Sequence, residues 1–139
     1  MDRFLNAERE SDATSRQAAV AADVAAVTTS SEYVITDDQF IAGLANRATP
    51  PMLVDTSFVR ILSGDLSSAE LERYASNPCT AAVLFFTRRL SLARLVGFRD
   101  LVARNYRRVK SYGPHQQLWM RAHRSCARPA SLPNGARAQ

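Results

Sequence analysis

The stretch Ala81-Ala82-Val83-Leu84-Phe85-Phe86 is continuously apolar and follows the pair Asn77-Pro78, which ends a helix. An apolar run of this length without polar alternation is typical of a strand that is buried on both faces of a parallel sheet. We therefore expect these residues to form the central strand of a sheet. The segments on either side then supply its neighbouring strands and helices.

Before the central strand, short apolar segments alternate with segments of helical spacing. The spacing predicts helices over about Ser15–Val27 and Gln39–Asn46, strands over Glu32–Thr36 and Met52–Asp55, and a helix opened by the capping box of Ser67 and Glu70. Strands and helices that alternate in this way are typical of an α/β sandwich with a mostly parallel sheet.

After the central strand, residues 97–106 place apolar side chains on one helical face, and two short strands flank Gly113-Pro114 as a hairpin. The predicted fold class is therefore α/β: a single small sandwich with a mostly parallel sheet, an antiparallel edge hairpin and flanking helices. The 139 residues allow one domain. We place it at 14–121, after a polar segment over 1–13 and before a basic, disordered tail over 122–139.

The net charge of +5 is unevenly distributed. Residues 1–87 contain six arginines and twelve acids, whereas residues 88–139 contain twelve lysines and arginines and one acid, Asp100. The basic end suggests an anionic partner or surface. No apolar stretch approaches the roughly 20 residues of a membrane-spanning helix, and no signal peptide precedes the domain. A natural start at Met1 would therefore place the chain in the cytoplasm.

The two cysteines, Cys79 and Cys126, have neither metal-site spacing nor neighbouring histidines. A bridge between them would require an oxidising compartment and would have to order the predicted tail. We therefore predict two free thiols.

In sheets of this kind ligands bind beyond the carboxyl ends of the strands. The candidate ligand or surface contacts found there, or just after, are Asp37, Asp38, Asp55, Ser57, Arg60, Arg88 and Arg89. The simplest interpretation gives Asp37 and Asp38 a helix-capping role and Asp55 a turn. Arginines that follow a strand could bind phosphate or sulfate, since guanidinium groups match those oxygens bidentately.

Catalytic alternatives have less support from the residues. Residues 52–59 resemble the first strand of PIN-domain ribonucleases, but the further acids of a metal site are missing after Glu72 except for Asp100. Ser57 has no evident base, and no glycine-rich phosphate loop is present. The aromatic and basic residues of the carboxyl-terminal end allow nucleic-acid binding, although the aromatic stripe on helix 97–106 fits a core better. We predict no catalytic residue, no metal and no cofactor.

Residues 17–121 as a whole resemble the soluble carboxyl-terminal domain of membrane glycosyltransferases of the protein O-mannosyltransferase and aminoarabinose transferase type, which use polyprenyl-phosphate sugars. The resemblance rests on a collinear series that begins with an alanine-rich helix. The series continues with Val34-Ile35-Thr36-Asp37-Asp38, Leu44-Ala45-Asn46-Arg47 with Pro50-Pro51, Val54-Asp55-Thr56-Ser57-Phe58-Val59-Arg60-Ile61, Ser63-Gly64-Asp65-Leu66, Glu70-Leu71, Ala82-Val83-Leu84-Phe85-Phe86-Thr87, Arg89-Leu90, Gly97-Phe98-Arg99 and Tyr112-Gly113. The series departs from the family at Arg88, where glycine is expected.

The resemblance implies an accessory α/β domain on the extracytoplasmic face of the cell membrane, as part of a longer protein. Its partner would be the membrane part of the same glycosyltransferase, with anionic lipid headgroups as a further contact. From the residues themselves, as given above, we expect no nucleic-acid partner. The family's catalytic acid lies in the membrane part, so the chain would not catalyse sugar transfer alone. The rival interpretation is a stand-alone α/β module that binds an anionic ligand or nucleic acid, or a PIN-like nuclease.

Overall fold

The computed structural model describes the backbone of residues 2–50, 53, 58–122 and 126, and the side chains of 14–50, 53, 60–122 and 126. In chain order the elements are α1 (Asp2–Val27), β1 (Tyr33–Thr36), α2 (Gln39–Leu44), α3 (Phe58–Leu62), α4 (Ser68–Ala75), β2 (Thr80–Phe85), two 3₁₀ turns (Arg89–Ser91 and Ala93–Leu95), α5 (Val96–Asn105), β3 (Tyr106–Gly113) and β4 (Gln116–Arg121).

The four strands form one mixed sheet with the order β1-β2-β4-β3. β1 pairs with β2 in parallel, and β4 pairs antiparallel with both β2 and β3. The α/β class, the central position of the apolar strand and the antiparallel edge hairpin are therefore confirmed. The sheet is mixed rather than mostly parallel as predicted: among the described strands one pair is parallel and two are antiparallel, because β4 of the hairpin pairs directly with β2.

Helices cover both faces of the sheet, and each face packs against its helices through one hydrophobic cluster. Because side chains alternate along a strand, Val83 and Phe85 face α4 and α5, while Ala82 and Leu84 face α1 and α2. The first cluster includes Ile35, Ile61, Leu66, Leu71 and Phe98, and the second includes Val20, Val24, Val34, Ile41 and Leu118. All six residues of β2 are buried, as its sequence predicts.

Side chains cap the start of α4 and the end of α1. Ser67 Oγ accepts the Glu70 N–H, and the Glu70 carboxylate accepts the Ser67 N–H, so the predicted capping box opens α4. At the carboxyl-terminal end of α1, the Arg47 guanidinium donates hydrogen bonds to the carbonyls of Ala25 and Thr28. A cation at a helix carboxyl terminus satisfies free carbonyls and complements the helix dipole.

Polar contacts hold α1 against the β3–β4 hairpin. The Asp23 carboxylate accepts from Lys110 Nζ at 3.1 Å and from the Tyr112 hydroxyl at 2.9 Å. Burial, the hydrogen bond to Asp23 and the charge of Asp23 raise the pKa of Tyr112 far above its usual range, so its hydroxyl stays a donor. Arg16 donates to the Tyr112 carbonyl and to the Gln116 side chain.

Some predicted helix and strand boundaries differ from the observed ones. The first helix begins at Asp2 rather than near Ser15, and Tyr106 begins β3 instead of completing α5. Of the predicted strand over 52–55 only Leu53 is described; it lies in a turn, with its N–H donated to the Pro50 carbonyl at 2.8 Å. The remaining residues of that strand lie outside the described part of the chain, as does the tail apart from Ala122 and Cys126.

Cys79 and Cys126 form a disulfide with a Cα–Cα distance of 4.4 Å, so the prediction of two free thiols is wrong. The antiparallel pairing of β2 with β4 explains the error, because it brings the end of β4 beside the start of β2. There Arg121 donates to the carbonyls of Ala75, Asn77 and Thr80. The chain after β4 therefore starts next to the turn that contains Cys79.

No helix within the described ranges is both long enough and apolar enough to cross a membrane.

Candidate functional site

Asp37 follows β1 directly and is fully buried. Its Oδ1 accepts the N–H groups of Phe86 and Thr87 at 2.8 and 2.9 Å, and its Oδ2 accepts that of Leu90 at 3.1 Å. The Thr87 hydroxyl also donates to the Asp37 carbonyl. The predicted capping role of Asp37 is therefore wrong: its carboxylate fixes the segment that leaves the central strand.

Asp38 is the N-cap of α2, as predicted. Its Oδ1 accepts the N–H groups of Phe40 and Ile41 at 3.1 and 3.3 Å, and its Oδ2 accepts a hydrogen bond from Gln17. Carboxylates that satisfy the free N–H groups of a helix stabilise its first turn. The two adjacent acids thus have separate structural roles.

The candidates between α2 and α4 are Asp55, Ser57 and Arg60. Asp55 and Ser57 lie outside the described residues. Arg60 pairs with Asp65 across the turn after α3, with an Nε–Oδ2 distance of 2.8 Å, and the Asp65 side chain is two-thirds exposed. An exposed pair of this kind contributes little to stability. Within the described part of the chain, no three His, Cys, Asp or Glu side chains are grouped to hold a metal ion.

Arg88 and Arg89 follow β2, where the segment fixed by Asp37 turns away from the sheet. Arg88 has φ 75° and ψ −9°, in the left-handed region, and it precedes the 3₁₀ turn Arg89–Ser91. A left-handed backbone favours glycine, because a Cβ atom is crowded there. This position, where the resemblance predicts glycine, has a backbone that favours glycine, and this chain forms it with arginine.

We expect Arg88→Gly to raise the free energy of unfolding by about 0.5–1 kcal/mol. The left-handed conformation costs a non-glycine residue about 1–2 kcal/mol, and the greater freedom of glycine in the unfolded chain offsets part of that gain. Urea denaturation measures the change. Arg89→Gly is the matched control, since Arg89 does not have a positive φ, and it should lower stability. Equal losses in both variants would contradict the strain at Arg88.

A cleft of about 450 Å³ lies between the carboxyl end of β2, α5 and the β3–β4 hairpin. Its lining residues are Phe85, Ser91, Arg99, Val102, Pro114, His115, Gln117 and Trp119. We call it the hairpin cleft. A smaller cavity of about 240 Å³ is lined by Arg88, Ser91, Leu92 and His115. The two cavities share Ser91 and His115, so Arg88 lies beside the hairpin cleft.

Arg99 provides a fixed positive charge in the hairpin cleft. It projects from the first turns of α5, and its Nη1 donates to the carbonyls of Leu90 and Leu92 at 3.1 and 2.6 Å. Both acceptors are neutral, and no carboxylate within the described residues pairs with this guanidinium. Its positive charge therefore remains uncompensated there, and its Nε and Nη2 groups make no hydrogen bond to the described residues.

The opposite wall of the cleft comes from the hairpin. Pro114 and His115 form its two-residue turn, in which His115 has φ 62°, as expected for the second central residue of a type II turn. On β4, the half-buried Trp119 donates its indole N–H to Gln117 Oε1 at 3.1 Å. The hairpin thus contributes an aromatic surface, an amide and an exposed imidazole.

Of the five candidate contacts within the described residues, only Arg88 lines either the hairpin cleft or the smaller cavity beside it. Sequence reasoning did not select Arg99, His115, Gln117 or Trp119, which come from three separate segments. The excess of basic residues after residue 87 was the one signal that pointed to this part of the molecule.

Fold and cleft together define an α/β domain with an electropositive cleft at the carboxyl end of its central strand. No protein-family model, curated protein or solved structure matches the chain.

Proposed function

We propose that this chain is an accessory, noncatalytic domain of a membrane glycosyltransferase that takes sugar from a polyprenyl-phosphate donor, and that it lies on the extracytoplasmic face. The resemblance of residues 17–121 to that family motivates the proposal. The α/β fold agrees with it, and several residues of the pattern have identifiable structural roles. Asp37 fixes the exit from the central strand, and Arg60 pairs with Asp65.

The disulfide between Cys79 and Cys126 is the observation that carries the proposal. Disulfides persist in oxidising compartments and are rare in the cytosol. This bridge joins the turn before β2 to the segment after β4 and so connects two distant parts of the domain. It supports an extracytoplasmic location independently of the sequence resemblance.

Four of the described groups that could perform chemistry are engaged in structure. Asp37 is buried under three backbone N–H groups, Asp38 caps a helix, and both cysteines are oxidised. A group of basic residues in the described carboxyl-terminal half is instead exposed. Arg104, Arg107, Arg108 and Lys110 lie at the end of α5 and along the edge strand β3. These features support a role in contacting an anionic partner.

The proposal predicts weak binding to membranes that carry negative charge. At low salt the chain should sediment with vesicles rich in phosphatidylglycerol and not with phosphatidylcholine vesicles, since each basic residue near an anionic surface contributes about 1 kcal/mol. Binding should disappear near 1 M salt, where the Debye length falls to about 3 Å. The same protein should transfer no sugar from a polyprenyl-phosphate donor.

The tail arginines need a separate control, because they could bind vesicles without the domain. Replacing Arg124, Arg128 and Arg137 by glutamine leaves Cys126 and its disulfide in place, whereas truncation after Arg121 would remove it. Retained vesicle binding in this triple variant supports docking by the domain. The proposal fails if that variant ignores anionic vesicles, if the chain in its source cells has reduced cysteines, or if the purified chain transfers sugar.

A further inference from the structure

The hairpin cleft and the smaller cavity beside it meet at Ser91 and His115. Arg88 lines the smaller cavity and Arg99 lines the hairpin cleft. We propose that the cleft binds a sugar phosphate, with the phosphate at the junction between the two arginines and the sugar ring against Trp119. The proposal uses only groups of the described structure, so it can fail while the proposed function holds.

The charge of the lining favours an anion. Arg88, Arg99 and His115 are all potential hydrogen-bond donors to a phosphate, and the described linings of both cavities contain no carboxylate. Guanidinium groups donate in a planar fork that matches two phosphate oxygens. The carbonyls of Leu90 and Leu92 already hold Arg99 in place, which lowers the entropy lost when it binds a ligand.

The backbone at Arg88 is the second observation. Three described non-glycine residues have a positive φ: Asn46, Arg88 and His115. Asparagine and histidine adopt this conformation more readily than most residues, but arginine does not. Strained residues of this kind gather at ligand sites, where the surroundings compensate the cost. Here the strained residue is one that lines the cavity adjoining the cleft.

The size and walls of the cleft favour an organic phosphate over a bare ion. A volume of about 450 Å³ lies in the range of pockets for small organic molecules. Trp119, Val102 and Pro114 supply apolar surface for one face of a ring. Ser91 and the Gln117 amide lie in the same lining and suit hydroxyl groups at the ring edge. A sugar offers both kinds of surface.

Calorimetry on the full chain at low salt tests the assignment, with glucose 1-phosphate as the probe. We expect glucose 1-phosphate to bind at least tenfold more tightly than glucose, inorganic phosphate or adenosine monophosphate. Trp119→Leu should weaken the binding of glucose 1-phosphate more than that of inorganic phosphate, since only the ester reaches the aromatic wall.

Arg88→Gly is the decisive variant, because relief of backbone strain should leave it at least as stable as the natural chain. We expect it to bind glucose 1-phosphate about tenfold more weakly, whereas Arg104→Gln, an exposed arginine outside the lining, should bind normally. Loss of binding in a stable variant separates ligand contact from folding.

Several results would overturn the proposal: no binding of glucose 1-phosphate, equal binding of inorganic phosphate, tighter binding of adenosine monophosphate, or unchanged binding by Arg88→Gly. A competition experiment then identifies the source of the phosphate. Displacement of glucose 1-phosphate by phosphatidylglycerol vesicles would assign the cleft to a lipid-linked phosphate ester. Simultaneous binding of both would assign it to a soluble ester, with lipid contacts elsewhere. Both results support the site.

Discussion

Asp37→Ala should lower the free energy of unfolding by about 3–6 kcal/mol. The substitution removes the acceptor of three backbone N–H groups, from Phe86, Thr87 and Leu90, in a fully buried place. Each buried donor left without a partner costs about 1–3 kcal/mol. Because a domain of this size is stable by about 5–15 kcal/mol, the variant should lose much of its stability. Urea denaturation, with a comparison of slopes, measures the loss.

Asp38→Ala is the matched control, since it removes a neighbouring carboxylate with a different role. Loss of an N-cap costs about 1 kcal/mol, so this variant should remain well folded. Asp37→Asn should fall between the two, because its amide keeps one oxygen as an acceptor. Equal losses in Asp37→Ala and Asp38→Ala would show that the buried hydrogen bonds of Asp37 are not the dominant contribution.

The parts of the fold that were predictable are those encoded by neighbouring residues. The apolar run at 81–86 identified the centre of the sheet, and Ser67 with Glu70 identified the start of α4. Gly113-Pro114 identified the hairpin turn. In each case the deciding interaction joins residues close in sequence, or the segment's own composition requires burial.

The role of Asp37 was not predictable in this way. Two adjacent acids before a helix have the same local pattern, and either could be its N-cap. The carboxylate of Asp37 instead contacts backbone groups 49 to 53 residues later in the chain. Only the parallel pairing of β1 with β2 brings the ends of those strands together.

The hairpin cleft was missed for the same physical reason. Arg99 belongs to a helix, His115 to a turn and Trp119 to a strand, and each has an ordinary structural explanation by itself. Their proximity depends on α5 packing across the hairpin. An arginine at a position where the resemblance predicts glycine was visible in the sequence, but the left-handed backbone of Arg88 was not.

The disulfide was not predictable from the residues around either cysteine. Ordering a flexible tail costs conformational entropy, and that cost argued for free thiols. The chain just after β4 is already ordered, however: Arg121 donates to the Asn77 and Thr80 carbonyls, and the Ala122 N–H donates to the Asn105 carbonyl. The bridge therefore begins from a fixed point close to its partner.

Removing the bridge should lower the free energy of unfolding by about 3–4 kcal/mol. Cys79 and Cys126 are 47 residues apart, and a closed loop of that length restricts the unfolded chain by about 4 kcal/mol in the chain-entropy description. The variant that carries both Cys79→Ser and Cys126→Ser should show this loss in urea. Thiol titration of the unfolded, unreduced natural chain should find no free sulfhydryl.

Reductant provides the control that links the loss to the bridge rather than to the serines. It should lower the stability of the natural chain to that of the double variant and leave the double variant unchanged. The contacts of Arg121 do not depend on the bridge, so the reduced domain should unfold in a single transition at a lower urea concentration. Two free thiols in the unreduced chain, or equal stability with and without reductant, would remove the main support for an extracytoplasmic location.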